Sequence, residues 1–115
     1  MKYALKPRSV EGHMHKVLIH PANYENVSQA VKKAFELFPF NLKEKKVLIK
    51  PNVLRAAQPE EAITTHPAVL RAVVDAVETM QPASIIVGDN PGVFSYGTNE
   101  EAFIKTGLME AAKGY

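Results

Sequence analysis

The chain has 115 residues, with 14 Lys and Arg against 12 Asp and Glu and a formal net charge of +2. That length holds one modest domain, and charge so nearly balanced gives no argument for a nucleic-acid or anionic-membrane surface. There is no cysteine, which excludes a disulfide framework, a thiolate zinc site, a cysteine nucleophile and an iron–sulfur cluster held by this chain.

Residues 1–13 lack periodicity and run into Gly12-His13-Met14. They are expected to be a leader, natural or vector-derived, with an α/β domain over 14–115. No apolar run approaches the roughly 20 residues of a membrane helix. The basic start Lys2 to Arg8 has no apolar core behind it, so no secretory signal is expected. By elimination, the expected location is cytoplasmic, with no membrane and no nucleic-acid partner.

His15-Lys16-Val17-Leu18-Ile19-His20 is a short apolar run closed by Pro21 and predicts a first strand. Asn23 to Asn26 supply turn and capping chemistry. From Val27 the apolar positions Ala30, Val31, Ala34, Phe35 and Phe38 recur at helical spacing, and Pro39 stops the helix. Lys46-Val47-Leu48-Ile49-Lys50 predicts a second strand, again closed by a proline, Pro51.

A polar stretch from Asn52 to Thr65 is longer than the usual βα connection of about 2–6 residues, as binding loops often are. Thr65-His66-Pro67 opens a helix with the stripe Val69, Leu70, Val73, Ala76, Val77 and Met80. Ser84-Ile85-Ile86-Val87-Gly88 predicts a third strand, broken by Asp89-Asn90-Pro91-Gly92. Asn99 can cap a last helix, and Gly107 fits a C-cap or a bend before Leu108-Met109.

The expected fold is therefore α/β, a three-layer arrangement around a short, mostly parallel sheet in the order β-α-β-α-β-α. The strands are continuously apolar, as when helices cover both faces. No internal repeat and no low-complexity segment stands out. Three strands make a thin sheet with an open edge, so the chain is expected to be part of a larger domain. Its edge would be completed by the remainder of a longer protein or by a second copy.

In a parallel sheet the strand C-termini share one rim, and ligands of open α/β folds bind outside it. The rim candidates are His20 and Pro21; Lys50, Pro51 and Asn52; and Gly88, Asp89, Asn90 and Gly92. Lys50 can hold a carboxylate or phosphate as a point charge; it equally fits a solvated strand end. Thr64-Thr65-His66-Pro67 places free N–H groups and a positive dipole end at a helix start. There His66 is either an acid–base group, a metal ligand or an ordinary cap. Asp89 can bind a metal, orient His66, contact a hydroxyl, or simply form the turn. The glycine spacing matches neither a dinucleotide fingerprint nor a Walker loop.

Val47-Leu48-Ile49-Lys50-Pro51-Asn52, Thr64-Thr65-His66-Pro67, Ile86-Val87-Gly88-Asp89-Asn90-Pro91-Gly92 and Phe103 to Gly107-Leu108-Met109-Glu110-Ala111 follow in an order and spacing that resembles the family of domain of unknown function 362. The likeness runs over about residues 15–112; Asn90 stands where that family usually has serine. The resemblance implies an α/β domain, the N-terminal part of a longer protein that is often iron–sulfur-associated and redox-linked.

Two functions follow. In the first, Lys50, Asn52, Thr64, Thr65, Asn90 and Gly92 bind a small anionic ligand, with or without a metal, and His66 oriented by Asp89 is the acid–base pair. In the second, the domain is a non-catalytic accessory of an iron–sulfur electron-transfer protein, or an inactive fragment. The residues alone name neither a cofactor nor a metal.

Overall fold

Helices form where the apolar period is 3.6 and strands where β-branched residues run together. In the computed structural model, which describes residues 15–90 and 99–115, these are α1 (Val27–Leu37), β1 (Lys46–Ile49), α2 (Pro67–Glu78), β2 (Ser84–Val87), α3 (Asn99–Lys105) and α4 (Leu108–Ala111). A short 3-10 helix lies at Pro59–Glu61. The leader expected over residues 1–13 lies outside the described residues, as does Gly92. Among the described residues, no helix is long and apolar enough to cross a membrane.

β1 and β2 pair in parallel, from Lys46 beside Ser84 to Ile49 beside Val87. The fold is thus α/β with a parallel sheet, but that sheet has two strands, not the expected three. Lys16–Ile19 joins no ladder, so the described order is α-β-α-β-α-α. A run of β-forming residues becomes a strand only against a partner's backbone and a packed face, and here Val17 and Ile19 point into solvent.

α1 starts from a turn in which Asn23 Oδ1 accepts from the N–H groups of Glu25 and Asn26, while Asn26 Oδ1 accepts from the Asn23 N–H at 2.8 Å. It ends at Phe38, before Pro39. It packs on α2, yet none of its residues is fully buried. Among the described residues no strand pairs on that side of β1, and the apolar stripe of α1 stays half-covered.

The core comprises Val53, Leu70, Val74, Ala102, Leu108 and Ala112, with Ile49, Val87, Phe103 and Tyr115 packed against it. It therefore sits between α2, α3, α4 and the C-terminal ends of both strands. Ile49 and Val87 face this core, whereas Leu48 and Ile86 remain 66% and 59% exposed. The sheet is covered on one face, not on both as the continuous apolar strands suggested.

Gly107 links α3 to α4 at φ +74, a left-handed conformation that side chains disfavour. A Cβ there would also meet Pro67 Cγ at 3.0 Å. The bend expected at this glycine is what seats α4 against the start of α2.

Candidate functional site

Parallel pairing sends both strand exits to one edge. Ile49 lies opposite Val87, and the Gly88 N–H donates to the Ile49 carbonyl at 3.1 Å, carrying the ladder one residue further. Lys50 and Asp89 consequently leave the sheet side by side, and they meet. Lys50 Nζ lies 2.5 Å from Asp89 Oδ1. That oxygen is buried and takes part in no aligned hydrogen bond, so its partner is the ammonium charge itself. Asp89 Oδ2 accepts from the Val53 N–H at 2.8 Å.

Burial pushes the Asp89 carboxyl up, while the Lys50 side chain and the N–H groups of Val53 and Asn90 pull it down. The donors prevail, and the group lies below its ordinary value and is ionised at neutral pH. The two partners differ sharply in access: the Asp89 side chain is 4% exposed and that of Lys50 66%.

A second set of bonds closes the long loop. The Asn52 N–H donates to Thr65 Oγ1 at 2.9 Å, the Thr65 N–H donates to the Asn52 carbonyl at 2.9 Å, and Asn52 Nδ2 donates to the Ile63 carbonyl at 3.3 Å. Within the loop, Glu61 accepts from the Gln58 N–H and pairs with Arg55, while Val53 and Ala57 are buried. The stretch is held at both ends and anchored inside, not a free excursion.

His66 caps α2. Its Nδ1 accepts from the Ala68 N–H at 3.2 Å, which leaves the ring proton on Nε2. Its ring stacks on Tyr24 with centroids 3.6 Å apart and planes 7° apart.

The structure thus joins Lys50, Asp89, Asn52 and Thr65 through one chain of contacts by way of Val53. Thr64 and His66 flank Thr65 in the chain, and Asn90 contributes its N–H to Asp89. Among the described residues no hydrogen bond links His66 with Asp89. Tyr24 and the Val53 N–H belong to this site and were not foreseen. The register of the two strands carries the signal for the Lys50–Asp89 pair, since it sets their exits level; nothing in the sequence signals the Tyr24 stack.

Two surface hollows, about 450 Å³ between α1 and α2 and about 590 Å³ beside Phe103 and Tyr115, are lined by neither Lys50, Asp89 nor His66. Among the described residues no group of three or more His, Asp or Glu side chains is placed to hold a metal ion. An iron–sulfur cluster, which the family likeness brings to mind, does not fit this chain's residues, because it has no cysteine ligand to offer.

The family model for a domain of unknown function (DUF362) matches residues 47–115, well over half of the chain. The chain belongs to this family. The DUF362 match begins within β1 and takes in the Lys50–Asn52 exit, the Thr64–Pro67 helix start and the Asp89 turn. α1 and Lys16–Ile19 precede it. Among curated proteins and among solved structures, no match is found.

Proposed function

We propose that the rim of this DUF362 domain holds a small anionic ligand on the ammonium of Lys50. One observation carries the reading: an exposed cation is fixed in place by a carboxylate that is itself buried. An ordinary surface lysine wanders, and ordering it costs up to about 2 kcal/mol. Here part of that cost is met before any ligand arrives.

The Lys50–Asp89 pair is net neutral, so charge alone does not make the site. An ammonium has three N–H donors, and Asp89 Oδ1 sits against one side of it as an ion pair. Asn52, Thr64, Thr65 and Asn90 are the further polar groups proposed along the rim, with Gly92 following on the family pattern. His66 would serve through its Nε2–H, as hydrogen-bond donor or acid, and Asp89 would hold Lys50.

Titration with inorganic phosphate, followed by amide and side-chain NMR shifts, tests this. Millimolar binding is expected, centred on residues 50–53, 64–66 and 88–90. Lys50→Ala is expected to keep the native far-UV spectrum and weaken binding at least tenfold. Undiminished binding by that variant, or shifts confined to other surfaces, overturns the reading.

A second reading rests on the bare side of the sheet, where Leu48 and Ile86 stand exposed in adjacent strands. Such a face suits an accessory domain docked in the cytoplasm on a cluster-bearing electron-transfer partner. Self-association in a size-exclusion concentration series, abolished by Leu48→Lys, favours it; a monomer at every concentration disfavours it.

A further inference from the structure

Lys16-Val17-Leu18-Ile19-His20-Pro21 and Lys46-Val47-Leu48-Ile49-Lys50-Pro51 agree at five of six positions. The repeat is too short to show at the scale of whole βα units. The second copy is β1 and its exit. The first lies outside the sheet, with Val17 and Ile19 75% and 91% exposed. Among the described residues β1 meanwhile pairs only with β2, so there its other edge carries a row of N–H and C=O groups without a strand partner.

From these facts we infer that Lys16–Ile19 adds to the free edge of β1 as a third parallel strand, and that this brings His20 to the rim beside Lys50 as a further anion-binding residue. The second half of the inference rests on the phosphate-site reading above; the first half does not.

The topology supports it. α1 already lies against α2, and α2 residues Leu70 and Val74 pack with Ile49 and Val87. A right-handed crossover through α1 returns the chain to the edge of β1 that β2 leaves free. In the repeat register, Lys16 stands beside Lys46 and Ile19 beside Ile49, so the prolines Pro21 and Pro51 leave at one level. Val17 and Ile19 then turn toward the helices, as Val47 and Ile49 do. This would cover the α1 stripe that the present arrangement leaves half-exposed. Leu18 joins Leu48 and Ile86 on the bare face. At the exit, His20 becomes the neighbour of Lys50, adding an imidazole N–H to the ammonium on the side away from Asp89.

The absence of native cysteine gives a clean cross-linking test in the full chain. Parallel neighbours sit about 4.8 Å apart, within the Cα separation a disulfide accepts. Leu18→Cys with Leu48→Cys should close an intramolecular disulfide under mild oxidation. Ile19→Cys with Leu48→Cys, on opposite faces, should not. Equal cross-linking in both pairs, or disulfides only between molecules, overturns strand addition. Hydrogen exchange on the unmodified chain gives a second readout: the amides among Val17–Ile19 that face β1, alternate ones in an edge strand, should exchange at least tenfold more slowly than an unstructured peptide, and random-coil exchange at all three overturns it too.

For the site, His20→Ala should weaken phosphate binding about two- to tenfold, the worth of one hydrogen bond. If Lys50→Ala loses phosphate and His20→Ala does not, His20 has no part in the site although the rim reading stands. If wild type binds no phosphate, the rim reading fails and His20's role with it, while the cross-link still decides the strand.

Discussion

Replacing Asp89 with alanine strikes the contact on which the rim is built. The Val53 N–H would lose its acceptor in a place where Val53 itself is 2% exposed, so the donor cannot recover a full water partner. An unsatisfied buried N–H costs about 1–3 kcal/mol. The Lys50 contact adds little to that sum, because the ammonium is mostly solvated and regains water when freed. The expected loss is about 2 kcal/mol, out of a total that for a domain of this size is about 5–15 kcal/mol. Asp89→Asn keeps an oxygen for Val53 and should lose about half as much.

The pH dependence separates the charge from the hydrogen bond. The folded Asp89 carboxyl lies below its ordinary value, held there against burial by Lys50, Val53 and Asn90. Its contribution is therefore fully present above the unfolded-state value and fades as pH falls through the folded one. Urea unfolding of wild type and Asp89→Asn should show a gap at neutral pH that narrows steadily below pH 4. Glu36 and Glu61 are also held low, by Lys33 and chiefly by the Gln58 N–H respectively, but they titrate equally in both proteins and cancel in the difference. A cost under about 0.5 kcal/mol for Asp89→Ala, or a gap that stays constant into acid, would refute the view of this carboxylate as the tie of the rim.

Other changes have equally definite outcomes. Gly107→Ala forces a side chain into the left-handed region and against Pro67, and should cost at least about 1 kcal/mol in urea unfolding. Thr65→Val removes the acceptor for the Asn52 N–H; about 1 kcal/mol should be lost, with faster amide exchange at Asn52 and Thr65. Leu70→Ala empties the centre of the core and should cost about 2–5 kcal/mol, the largest single effect among these variants.

Most elements were legible because their signals are local. Proline marks the end of α1 and the start of α2, and β-branched runs mark β1 and β2. A shared rim for Lys50 and Asp89 follows from parallel strands, since their exits then lie on one edge; the ion pair between them is set by the structure. The unforeseen parts depend on distant partners. Lys16–Ile19 has the same residues as β1, so no local rule tells which of the two is paired in this structure. Asp89 suits His66 by chemical type, while its carboxylate meets Lys50 and the Val53 N–H, both brought to it from a distant strand exit. Tyr24 reaches His66 only because the turn before α1 folds back to the rim.

The buried carboxylate also bears on what kind of anion the rim would take. Asp89 orders Lys50 but cancels much of its field, so the attraction at long range is weak. A ligand would gain little from net charge and more from acceptors placed to meet the ammonium donors and the Nε2–H of His66. The site should then discriminate by shape among anions of equal charge, and phosphate should outcompete chloride by more than their charges explain. Asp89→Asn provides the contrast: with Lys50 no longer held by the carboxylate, the preference for phosphate over chloride should fall. Loss of affinity for all anions alike in that folded variant would mean that Lys50 binds only when Asp89 aims it.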